Sequence, residues 1–149
     1  MCRIAHIFYF VLLITGCGGF SHSSSLGNLD LRLQVDQQRG EVGKPVTITF
    51  TVTKYQAENY DMGAIDAGEN PVMDIVIGNY AKWSAEQASE NVLHRLELKP
   101  GESKRIQMTW MPDQRAERQV VLIQGIVQGQ GNLWQDTQIQ LPIGQTLYK

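Results

Sequence analysis

The chain has 149 residues, 13 basic and 15 acidic side chains and a formal net charge of −2 at pH 7, with 42% hydrophobic and 19% charged residues. That length makes one domain with enough apolar material for a core, and the charge bias is too small for a disordered tail or a nucleic-acid binder. Both cysteines, Cys2 and Cys17, fall in the N-terminal stretch, so the body of the chain must be stabilised by packing rather than by a disulfide.

Arg3 is the only charge ahead of the apolar run Ile7 to Ile14, a short positive head followed by a greasy stretch as in a secretory signal. The run breaks at Thr15, Gly16, Cys17, Gly18 and Gly19, well short of the about 20 apolar residues a membrane-spanning helix needs. Leu13-Ile14-Thr15-Gly16-Cys17 resembles a bacterial lipobox, in which an aliphatic and small residues precede the cysteine that receives diacylglycerol and becomes the mature N-terminus. The expected organisation is a lipoprotein signal peptide over residues 1–16, then lipidated Cys17 with a flexible Gly/Ser tether to residue 28, then a domain over 29–149. Several buried acyl chains, at about 0.8 kcal/mol per methylene, make detachment from a membrane rare. The expected location is the extracytoplasmic face of a membrane: an outer membrane or the cell surface, depending on the host. His22 falls in the tether, with no metal role expected.

From Leu29 onward the sequence alternates. Leu29, Leu31, Leu33 and Val35 interleave with Asp30, Arg32, Gln34 and Asp36, which puts the apolar side chains on one face of a strand. After Gly43-Lys44-Pro45, Val46, Ile48, Phe50 and Val52 alternate with four threonines, all β-favouring residues. Val72 to Ile77 is a shorter apolar run. Leu96 and Leu98 end at the turn Lys99-Pro100-Gly101-Glu102. Ile106, Met108 and Trp110 alternate with polar neighbours. Val120 to Ile123 is apolar on both faces and belongs in the middle of a sheet, with Gly125 as a bulge. Thr137, Ile139 and Leu141 finish the series before Pro142. The expected fold is all-β, an immunoglobulin-like antiparallel β-sandwich of about seven or eight short strands.

Gly43-Lys44-Pro45-Val46-Thr47-Ile48-Thr49-Phe50, Lys82-Trp83-Ser84, Leu98-Lys99-Pro100-Gly101-Glu102-Ser103 and Met108-Thr109-Trp110 follow one another in an order that resembles the BsuPI family of intracellular proteinase inhibitors, over about residues 29–128. The resemblance implies a β-sandwich and proteinase inhibition. The chain departs from that pattern in its export signal, in a longer segment before Val72 and in the sequence after Gln128, and no inhibitory residue is carried across.

Catalytic chemistry is not expected. The only histidine of the domain is His94, which counting back by twos from Leu98 places on the inward face. A nucleophile needs a base beside it, and no nucleophile elbow, zinc-protease or phosphate-loop pattern occurs. No catalytic residue, resident metal or cofactor is assigned.

Two loops remain as candidate contact surfaces. Residues 55–81 hold Glu58, Asp61, Asp66, Glu69 and Asp74 without a lysine or arginine, and all the negative excess of the exported chain sits there. With Tyr55 and Tyr60 added, the segment reads either as a loop that binds a basic protein surface or a calcium ion, or as a solvated loop that keeps the domain soluble. Calcium demands six to eight oxygen ligands, and these carboxylates lack the spacing of an EF-hand. Met111 to Arg118 presents Arg115 and Arg118, either as an inhibitory loop suited to a trypsin-like pocket or as an ordinary charged turn. The partners expected are the membrane, through the lipid on Cys17, and another envelope protein or a proteinase.

Overall fold

The computed structural model describes residues 19–55, 63–83, 92–131 and 134–145, of which 81–83 by backbone alone. Eleven strands occur among them: β1 (Phe20–Leu26), β2 (Leu29–Val35), β3 (Gly40–Glu41), β4 (Val46–Lys54), β5 (Ile65–Asp66), β6 (Met73–Ile77), β7 (Ala81–Trp83), β8 (Arg95–Leu96), β9 (Ser103–Trp110), β10 (Val120–Gln128) and β11 (Trp134–Gly144). Only one 3-10 turn, Gln114–Ala116, interrupts the described β structure. The fold is an all-β sandwich. One sheet has the order β1-β2-β4-β9, the other β3-β11-β10-β6-β7, and β5 pairs with β8 apart from both. All pairings are antiparallel except the short β3–β11 contact.

The alternation read from the sequence decides which side of each strand is dry. In β4 every second residue, from Val46 through Phe50 to Val52, is buried while the threonines between them are half-exposed. β2 and β9 repeat the pattern with Leu31, Leu33, Ile106 and Met108. The second sheet answers with Ile75, Ile77, Ile123, Val127, Ile139 and Leu141, and the two inner faces join in a single core. Burying each such side chain contributes about 1.5–3 kcal/mol, which is how a sandwich without a crosslink holds together.

At Gly125 the second sheet presses against the Phe50 ring of the first. Gly125 is not a bulge: the register runs unbroken through it, to Thr137 on β11 and to Ile75 on β6. A Cβ there would lie 2.4 Å from Cδ2 of Phe50, so the missing side chain makes room for the largest fully buried one in the core. β10 does occupy the centre of its sheet.

The expected tether is corrected. Residues 20–26 form β1, paired with β2 from Phe20↔Val35 to Leu26↔Leu29. Gly27 has φ +58° while Asn28 stays at negative φ, the pattern of a type II′ hairpin turn. Its side chains are short and polar, and they earn their place by hydrogen bonding: His22 Nδ1 lies 2.8 Å from Thr137 Oγ1 and Ser24 Oγ donates to the Asp136 carbonyl at 2.9 Å. These bonds fold the edge of the first sheet over β11 and close that flank of the sandwich.

β11 also runs further than expected, through Pro142 to Gly144. The Ile143 amide donates to the Gln119 carbonyl. Successive amides of a strand point to opposite sides, so the nitrogen of Pro142 faces away from β10, where β3 pairs only from Ile143 onward and no donor is required.

Candidate interaction surfaces

The strands give the sandwich two ends. At one lie the start of β1, the loop 36–45, the β6–β7 turn, the loop 111–119 and the end of β11; at the other lie the β1–β2 turn, Tyr55, residues 63–72 and 92–102, and the β10–β11 connection. The two candidate loops therefore sit at opposite ends.

The loop after β9 is pinned by its own side chains. Asp113 caps the 3-10 turn, accepting from the Arg115 amide at 2.9 Å, and receives Arg115 Nε at 2.8 Å and Nη2 at 2.6 Å. That two-pronged hydrogen bond holds the Asp113 carboxyl below the usual carboxylate range and raises Arg115 above its ordinary value. The guanidinium lies 5.7 Å from the centroid of the Tyr80 ring, within cation–π range. Tyr80 Oη donates its one proton to Gln119 Oε1 at 2.7 Å, with the Arg115 carbonyl oxygen 3.1 Å away as the alternative acceptor, and Gln119 Nε2 donates to the Arg115 carbonyl. Tyr80 in turn packs at 6.0 Å from Trp110, and Ala116 is fully buried beneath the turn. Arg115 is thus tied to Asp113 and Tyr80 although its side chain stays 73% exposed, and Arg118, also exposed, has φ +60°, a left-handed conformation that costs an L residue about 1–2 kcal/mol.

At the far end the acidic segment is divided. Glu58, Tyr60 and Asp61 lie outside the described residues. Tyr55 is half-exposed and its amide donates to the Asn28 carbonyl. Desolvation, then the charge of Asp30 and a hydrogen bond to it, raise the Tyr55 hydroxyl above its ordinary value. Asp66 opens a tight turn, its Oδ1 accepting from the Gly68 amide at 2.8 Å, and its Oδ2 lies 3.9 Å from Arg95 Nη1. Glu69 is exposed at that turn. Asp74 is not part of any surface: it is buried in β6, with Oδ1 accepting from the Ile75 amide. The described part of the acidic run is therefore split between a solvent-facing turn neutralised in part by Arg95 and a group inside the sheet.

His94 does not face inward. β8 begins only at Arg95, so counting by twos from Leu98 runs past the start of the strand; His94 is exposed and its Nδ1 lies 3.0 Å from the Asn70 carbonyl oxygen. His22 is placed instead at a groove of about 390 Å³ lined by Asp136, Thr137, Gln138 and Gln140. Asp136 Oδ2 there accepts from Gln124 at 2.9 Å and from Gln138. The sequence carried little signal for this cluster, because its members are brought together only when β1 folds over β11. Among the described residues no group of three or more His, Cys, Asp or Glu side chains is arranged to hold a metal ion, and no helix is long and apolar enough to cross a membrane. Cys17 lies outside the described residues, two positions before the first of them.

Comparison of the chain with known protein families, with curated proteins and with solved structures found no match.

Proposed function

We propose that the protein is a membrane-anchored, extracytoplasmic lipoprotein whose sandwich serves as a non-enzymatic protein-interaction module of the cell envelope. The observation that carries the reading is the lipobox-like Leu13-Ile14-Thr15-Gly16-Cys17 set directly ahead of a folded β domain. The partner, another envelope protein, meets the end bearing Tyr55, Asp66 and Glu69. Fractionation and crosslinking in intact producing cells test this. The native chain is expected with the membranes and crosslinked to a protein neighbour, and Cys17→Ser is expected to release it; a Cys17→Ser chain that stays equally bound, or the absence of any neighbour above background, contradicts the reading.

The second reading is an exported proteinase inhibitor of the BsuPI type. The pinned 111–119 loop favours it, since a loop offered to a proteinase must be rigid to resist cleavage, and Arg118 rather than Arg115 is the side chain left free to enter a pocket. Stoichiometric titration of trypsin-like and subtilisin-like enzymes tests it: loss of enzyme activity that Arg118→Ala abolishes supports it, and full residual activity dismisses it.

A further inference from the structure

We infer that the end of the sandwich carrying Phe20, Met111 and Val120 lies against the lipid headgroups of the membrane that holds the anchor, so that the Asp66–Glu69 end points outward. The inference rests on the proposed lipidation of Cys17. A Gly/Ser tether would have let the domain tumble, but the tether residues are strand β1. Two residues, Gly18 and Gly19, separate Cys17 from Phe20, so three Cα-to-Cα steps give a reach of at most about 11 Å when extended. The headgroup layer of one leaflet is itself about 5–8 Å thick. The first residue of the sheet is therefore held at the edge of that layer, and the end of the domain to which β1 belongs cannot leave it.

The surface at that end suits the position. Of the five large hydrophobic residues exposed among the described ones, three are here: Phe20 at 39%, Met111 at 59% and Val120 at 63%. They sit on β1, beyond β9 and on β10, so they ring the end rather than cluster on one strand. Around them Arg39, Lys44, Arg115 and Arg118 balance Asp36, Glu41, Asp113 and Glu117, and an anionic leaflet has no net charge to repel. The opposite end carries Asp66, Glu69, Glu97 and Glu102 against Arg95 and Lys99, and repulsion from such a leaflet turns it away. β4 has nine residues, which at about 3.3 Å each separates the ends by roughly 26 Å. The orientation would present Tyr55 and the acidic turn to a partner and close the 111–119 loop to a proteinase, so it also decides between the two functional readings.

The test uses the full chain purified from membranes with its N-terminal modification intact and reconstituted in phosphatidylethanolamine–phosphatidylglycerol vesicles. A fluorophore is attached at Met111→Cys, at Val120→Cys or at Glu69→Cys, all exposed positions where the fold is undisturbed. The probes at 111 and 120 are expected to be quenched severalfold more by brominated acyl chains than the probe at 69, and severalfold less by aqueous iodide. Vesicle-bound protein with equal iodide access at all three positions overturns the orientation while leaving the anchor standing. Protein that fails to float with vesicles and shows an unmodified Cys17 by mass overturns the anchor, and the orientation with it.

Discussion

Two connections of the sandwich, 111–119 and 63–72, differ in what is added to their backbone hydrogen bonds. The loop 111–119 adds a side-chain network, made of the Asp113 carboxylate, the Arg115 fork, the Tyr80 hydroxyl and the Gln119 amide, to the backbone bonds of its 3-10 turn and those from Gly43 to Pro112 and from Ile143 to Gln119. Residues 63–72 are fixed mainly by backbone, with Ala67 bonded to His94, Val72 to Leu93, and Gln130 to Asp66, over the buried side chains of Ile65, Ala67 and Leu96. A side-chain network can be undone one residue at a time and by pH. A connection held by backbone bonds over apolar contacts yields only when the packing beneath it is removed.

The largest effect that sharpens this contrast is expected at the backbone-held end. Ile65→Ala should cost about 2–5 kcal/mol in urea unfolding, the range for emptying a buried aliphatic site. Tyr80→Phe, which removes the hydroxyl that bonds to the other loop, should cost about 0.5–1.5 kcal/mol; limited trypsin digestion should become faster at Arg115 and Arg118 and stay unchanged at Arg95. Arg118→Gly should be neutral or stabilise the domain by up to about 1 kcal/mol, because glycine takes the left-handed conformation without the steric penalty but gains entropy when unfolded. The response to acid should be smaller again and should arise at the 111–119 end. The Asp113 carboxyl is lowered by Arg115, so its contribution is fully present above the ordinary carboxylate value and is lost as the pH falls through the depressed one. Amide protection at Arg115 and Ala116, taken relative to the intrinsic exchange rate at each pH, should fall in acid below that range, and Asp113→Asn should abolish the dependence. Asp66→Asn should change unfolding least, since its ion pair to Arg95 is long and more than half exposed and such pairs contribute little.

Much of the architecture was legible in the chain because burial leaves a period of two. β2, β4 and β9 follow from alternating Leu, Val, Ile and Phe, and the apolar stretch at 120–123 identified the central strand. What stayed hidden lacked that pattern. Between Phe20 and Leu26, β1 is written in serine and histidine and joins the sheet through its backbone and through hydrogen bonds to β11, contacts over a hundred residues away in sequence. The one local signal for it was Gly27-Asn28, a two-residue hairpin turn. Gly125 read as a bulge because its reason for being glycine, the ring of Phe50, belongs to another strand. The 111–119 loop showed its arginines but not its rigidity, since Tyr80 reaches it from 35 residues earlier. The acidic run was visible as charge, but nothing in composition told Asp66 at the surface from Asp74 inside the sheet.

The account depends most on the bond between lipid and Cys17. Mass spectrometry of the N-terminal peptide from membrane-extracted protein tests it directly. The expected result is a peptide that begins at Cys17 and carries the added mass of a diacylglyceryl group; a free Cys17 thiol, or a mature chain that retains residues 1–16, would contradict it.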